Sequence, residues 1–293
     1  MSKPDLTIES ILKKGQDLYS LPEIYIRVSE LLDNENSSAI LIGDTVQTDP
    51  AIASRVLKMV NSAFYGLPQQ VASISQAVAL LGRFQLRQIL IGSVVGTVFT
   101  QIDNPAFSMQ KFWEHSIKTA IIARQLAKQR SDAGSPDVLF SAGLLHDIGR
   151  LILASKAREE FAMVTELVDI RRYDVITAEL EVIGFTHAQI GAALIRQWAL
   201  PEILIACAGH HHENEHSGEF ATASRLVYLA NRLSQYVPPI DEEEALDMLA
   251  EIANWEVANR SVEQISQACQ QAEDQVFEVM DFLGMVNIEI GAD

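Results

Sequence analysis

The sequence predicts an all-α protein, a multi-helix bundle, on three observations. Apolar residues recur at i, i+4, i+7 and i+8 through most of the chain, which is the spacing of one helical face. No alternation of apolar and polar residues runs long enough for a strand, and no internal repeat or low-complexity tract is evident. Capping residues and breaks rich in Pro or Gly fall where such helices would start and stop.

Residues 1–20 carry Ile8, Ile11, Leu12 and Leu18 on a short amphipathic helix, and Ser20-Leu21-Pro22 marks the next start. A second helix follows over 23–32 and is stopped by the polar cluster 33–38. Asp49-Pro50 supplies an N-cap and a first-turn proline ahead of Ile52, Val56, Met59 and Val60. Asn61-Ser62-Ala63-Phe64-Tyr65-Gly66 turns the chain, and Ser73 with Gln76 forms a capping box before a helix over 75–100 that is interrupted near Gly82. Asp103-Asn104-Pro105 is the clearest break in the first half. Helices are then expected over 107–130, 136–154, 156–170, 172–182, 187–198, 200–212 and 219–236. Val237-Pro238-Pro239 and the acidic run Asp241-Glu242-Glu243-Glu244 make a second break, with helices over 242–253 and 261–284 closing the chain. The expected parts are therefore 1–104, 105–237 and 238–293.

A composition of 48% hydrophobic and 21% charged residues suits a globular protein with a sizeable core. Its 22 Lys and Arg face 39 Asp and Glu, a formal charge of −17, which argues against nonspecific binding to nucleic acid or an anionic membrane. A local basic patch can still serve a phosphorylated ligand. The N-terminus lacks the apolar core of a signal peptide, and no run is expected to approach the roughly 20 apolar residues of a membrane span. Residues 89–100 come nearest and are broken by Gly92 and Gly96. Cys207 and Cys269 lie far apart with no CxxC pattern, against a disulfide framework or zinc-thiolate site. A cytoplasmic protein is expected.

The chain is organised around Gly143-Leu144-Leu145-His146-Asp147-Ile148-Gly149-Arg150, within a run over 138–153 that is apolar nearly all round. Val138, Ala142, Leu145 and His146 share a helical face, with Asp147 about a quarter-turn away. A buried carboxylate is costly unless paired or metal-bound, and no lysine or arginine is expected on its face. Of seven histidines, five lie on or at the end of apolar stripes. His115 goes with Phe112, Thr119, Ile122 and Leu126; His187 with Ile190, Gly191, Leu194 and Trp198; His211 and His212 follow Leu204 and Ala208. Singly, each is more often a core or rim histidine than a ligand. Together with Asp147 they match how helical bundles build sites for zinc, iron, manganese or nickel.

These residues resemble the HD superfamily of metal-dependent phosphohydrolases. Leu21-Pro22, Asp49-Pro50, the run Val60-Asn61-Ser62-Ala63-Phe64-Tyr65-Gly66 and Gln76-Ala77-Val78-Ala79-Leu80-Leu81-Gly82 resemble its HDOD family, the HD-related output domains of bacterial signalling. The resemblance covers about 15–235 and implies a helical N-terminal half packed on an HD-like half. It implies one or two divalent ions held by His115, His146, Asp147, His187, His211 and His212, with Asn231 where active HD enzymes carry a final aspartate. Lys111 stands where some relatives place a glutamate, and no Gly-Tyr-Pro follows His211-His212-Glu213.

In a live site, Asp147 and the metal would serve catalysis and Arg150 would bind a phosphate oxygen, assisted by Lys118 or Arg225. A salt bridge is an equal alternative for Arg150. His210 is the least suited of its triplet to that site, Glu213 is more often a solvated helix end, and His216 sits in a polar, acidic loop. Three readings stand, in order. The first is a signalling module that binds a protein partner or a small phosphorylated ligand. The second is a metal-dependent phosphohydrolase acting on a nucleotide or other phosphate ester. The third is a helical scaffold whose histidines are satisfied by hydrogen bonds.

Overall fold

The computed structural model describes residues 6–15, 19–99, 102–128, 130–235 and 260–285, and every regular element among them is a helix. In chain order these are α1 (Ile8–Gly15), α2 (Glu23–Asp33), α3 (Ala39–Gln47), α4 (Pro50–Val60), α5 (Ile74–Val98), α6 (Met109–Ala127) and α7 (Pro136–Leu145). There follow α8 (Ile148–Lys156), α9 (Arg158–Arg171), α10 (Val175–Val182), α11 (His187–Gln197), α12 (Glu202–His210), α13 (Ala221–Leu233) and α14 (Val262–Leu283). The expected helix over 242–253 and the breaks before it lie outside the described residues.

The expected starts recur. The Asp49 carboxylate accepts from the amides of Ala51 and Ile52, both at 3.0 Å, and Ser73 Oγ accepts from the Gln76 amide at 3.2 Å. Gln76 reaches back to the amide of Ala72 and not to that of Ser73. The interruption in α5 falls at Gly82, with φ 83° and ψ 165°. Two expectations are overturned. α3 occupies a stretch with no predicted element, capped by Ser38 on the Leu41 amide. The helix expected over 136–154 is two, parted at His146 and Asp147. A third correction concerns membranes. Ile74–Val98 and Pro136–Lys156 are long and apolar enough to cross one by length and composition, but 89% of the second's apolar window is buried inside the protein.

The chain divides into two compact units that interleave along the sequence: Met1–Tyr19 with Gln101–Glu273, and Ser20–Thr100 with Asp274–Asp293. The smaller unit closes α2 to α5 around Ile42, Val56, Met59, Ile74 and Ile89, all fully buried or nearly so. Arg83 fastens its α2–α3 loop by donating to the carbonyls of Asn34, Glu35 and Ser37.

The larger unit packs α6 against α7 and α8 against α11. A Cβ on Gly143 would lie 2.6 Å from Ala120 Cα, and one on Gly149 would lie 1.9 Å from the His187 carbonyl oxygen. These two glycines let backbones touch backbones on both sides of the α7–α8 break, which brings Asp147 beside His187.

Candidate metal centre

Five histidines reach the centre from four helices. His115 is midway along α6, His146 ends α7, His187 opens α11 within the Thr186–Gln189 capping box, and His211 and His212 follow α12. His146 and His211 end their helices by the same device. Nδ1 of His146 donates to the Gly143 carbonyl at 2.6 Å, and Nδ1 of His211 to the Ala208 carbonyl at 2.8 Å. Those are the oxygens that the amides four residues on would have taken had the helices continued.

The same bonds fix the tautomers. A carbonyl only accepts, so His146 and His211 carry their proton on Nδ1 and aim a bare Nε2 inward. Nδ1 of His187 faces the Glu179 carboxylate at 2.8 Å, and Glu179 also accepts from the His187 amide at 2.8 Å. Ser234 Oγ donates to the Asn231 carbonyl, so its oxygen accepts from Thr119 Oγ1 at 2.9 Å and from His115 Nδ1 at 3.0 Å. Four imidazoles are thus oriented through Nδ1, the arrangement in which an outer partner sets a metal ligand's tautomer.

The inward atoms crowd together. Nε2 of His115 and His146 are 3.2 Å apart, those of His187 and His211 3.1 Å, and those of His187 and His212 3.0 Å. Asp147 Oδ1 lies 3.1 Å from His187 Nε2 and 3.3 Å from His211 Nε2, and Oδ2 lies 3.6 Å from His115 Nε2. Two ligands about 2.1 Å from one ion stand about 3.0 to 3.4 Å apart, depending on coordination number. The donors form two groups, Asp147 with His187, His211 and His212, and Asp147 with His115 and His146. Asp147 belongs to both.

Protons resolve only part of this crowding. Burial holds His115 and His211 below the usual imidazole range and His146 well below it, and burial with His211 and His187 alongside pushes His212 down to about 2. His187 is the exception: burial would lower it, but the Glu179 and Asp147 carboxylates raise it to about 9. Burial would raise the Asp147 carboxyl, yet Arg150 and the hydrogen bond from His187 hold it well below the usual range. Nε2 of His115 and His146 therefore face each other as bare lone pairs beside an ionised carboxylate, while the proton on His187 Nε2 is shared among Asp147, His211 and His212. A divalent cation satisfies that donor set, so the buried cluster fits a metal ion.

Arg150 donates to Asp147 Oδ2 at 3.1 Å, which corrects the expectation that no cation shares that face. One half-buried arginine does not replace the ligands, because the facing nitrogens of His115 and His146 still lack donors. Lys118 is held by Glu114 at 3.0 Å and Glu273 at 2.7 Å, and Arg225 donates to the His216 carbonyl, so neither serves the centre as supposed. Asn231 is buried on α13 beside His115. Glu179 escaped the sequence reading.

A cavity of about 660 Å³ opens on the centre, lined by His115, Asp147, His187, His212 and Asn231, with Arg150 and Arg232 on its wall. A second, of about 400 Å³, includes Lys111 and shares His115 and Arg150.

The family model of the HDOD domain matches residues 18–214. A crystal structure from Shewanella amazonensis SB2B, provisionally named a phosphohydrolase, has a TM-score of 0.74 at 24% identity, covering 94% of this chain and 97% of that one. An HDOD domain protein of unknown function from Geobacter sulfurreducens has 0.71 at 22%, covering 96% and 100%. A provisionally named signal transduction protein from Marinobacter aquaeolei VT8 has 0.68 at 22%, covering 95% and 64%. At these identities the likeness is one of fold. An uncharacterized protein of Treponema pallidum is 28% identical over 210 residues, 72% of this chain but 40% of its own length.

Proposed function

The chain belongs to the HDOD domain family, and from that premise we propose that it is a bacterial, cytoplasmic regulatory module with a partly retained HD-type metal site that takes a small phosphorylated ligand. The observation that carries the reading is the set of oriented imidazoles whose inward nitrogens converge on Asp147. His115, His146 and Asp147 would hold one ion, with the Asn231 amide oxygen as a weaker ligand, and His187, His211, His212 and Asp147 a second. The name signal transduction protein borne by one relative fits this role.

Charge supports an anionic ligand. With every imidazole neutral, as ligation requires, Asp147 and Glu179 against Arg150 leave one negative charge, which two divalent ions would turn into three positive ones in a low-dielectric pocket. A phosphate offsets that excess and gives Arg150 a partner in the cavity. Titration calorimetry with inorganic phosphate tests this. Binding is expected to metal-loaded protein, about tenfold weaker in Arg150→Ala and lost on chelation. No heat with loaded protein would contradict the reading.

The near-complete donor set favours hydrolysis of a nucleotide or other phosphate ester as a second reading. Bound ions would supply Lewis acidity and an activated water. In that case Arg150 orients the phosphoryl group and Asn231 contributes no charge where the family's aspartate would. Turnover of p-nitrophenyl phosphate, abolished in Asp147→Asn, would favour it over the regulatory module.

A further inference from the structure

A second group of ligand-type side chains stands at the surface end of α12: His210, Glu213 and His216, at i, i+3 and i+6. The turn after α12 assembles it. The Glu213 amide donates to the His210 carbonyl at 2.9 Å, which brings the Glu213 side chain back toward His210. Glu213 Oε2 then lies 3.0 Å from Nδ1 of His210 and 3.7 Å from Nδ1 of His216. Nδ1 of His210 is buried and, for all that proximity, makes no aligned hydrogen bond. The two atoms stand side by side, as ligands of a common third partner do, and not head to head as donor and acceptor. The His216 backbone is pinned by Arg225, whose Nε donates to its carbonyl at 3.1 Å.

We propose that His210, Glu213 and His216 form a second metal site, at the surface, for a borderline divalent ion such as zinc, copper or nickel. Two imidazoles and one carboxylate suit those ions, whereas magnesium and calcium require oxygen ligands. The His210 and His216 rings stack 3.8 Å apart at 16°, so one ion cannot lie in both ring planes until His216 turns about its Cβ–Cγ bond. Gly218 leaves that ring its room, since a Cβ there would come within 3.0 Å of His216 Nε2. Side-chain exposures of 36% for His210 and 56% for Glu213 open the site to solvent, so its ion exchanges where a buried one is retained. His210 directly precedes His211 and His212, so an ion here braces the turn that presents both to the buried centre.

The test is a zinc titration of tag-free, chelator-stripped, full-length protein, with the imidazole resonances followed by NMR. Wild type is expected to take up one equivalent more than His216→Ala and one more than Glu213→Gln, with that equivalent shifting the His210 and His216 signals. Asp147→Asn is expected to keep this equivalent. Unchanged stoichiometry and affinity in both surface variants would overturn the proposal. Equal uptake by wild type and Asp147→Asn would count against the buried centre and leave the surface site standing.

Discussion

Asp147 carries the densest chemistry of any residue here, because its two oxygens serve two groups of imidazoles. Its neighbour His187 sets the pH dependence. With a pKa of about 9 in the metal-free protein, His187 is protonated at pH 7, and an ion must displace that proton to use Nε2. Apparent metal affinity is therefore expected to rise about tenfold per pH unit up to about 9 and to level off above it. Calorimetry in buffers of different ionisation enthalpy would read about one proton released per centre filled; none released would contradict the assignment. Glu179→Gln keeps the shape but removes the charge behind His187, and is expected to weaken metal binding about 10- to 100-fold with the fold retained, as judged by circular dichroism. The histidines and Asp147 were legible in the sequence because polar residues on apolar helical faces stand out. Glu179 was not, because a glutamate on a short amphipathic helix reads as solvated until the fold shows it 1% exposed.

Among the elements, the break between α7 and α8 matters most, and it was hidden from the sequence. Residues 138–153 hold no proline and are apolar nearly all round, so local preference favours one helix. The break comes from His146 taking the Gly143 carbonyl and from close packing on either side. Gly149→Ala is expected to lower stability by about 3 kcal/mol or more in urea unfolding, because the new Cβ meets the His187 backbone and neither chain can yield cheaply. A change under about 0.5 kcal/mol would contradict that account of the α8–α11 contact. α3 went unread for a different reason. It is nine residues long, dense in apolar and β-branched residues, and shows no clear polar stripe, while Ser38 is a cap visible only once the helix is known. Where start signals were strong, at Asp49-Pro50 and Ser73, the sequence reading placed the helices.

For the whole molecule, the all-α class and the HDOD resemblance were readable because periodicity and the Asn-Ser-Ala-Phe-Tyr-Gly run survive without tertiary information. The interleaving of the two units was not, since α1 and the end of α14 join their units through contacts remote in sequence. An ion that binds only the folded protein adds about 2.7 kcal/mol of stability at 100 times its dissociation constant. Chelation is accordingly expected to lower the thermal midpoint of the larger unit by roughly 5 to 10 °C, read by calorimetry. The central claim, that the imidazoles around Asp147 hold metal, is tested most directly by elemental mass spectrometry of tag-free purified protein beside Asp147→Asn. One or two equivalents of iron, manganese, zinc or nickel bound in wild type and lost in the variant are expected. A folded wild-type protein that contains none, and takes none up when the ions are supplied, would contradict the claim.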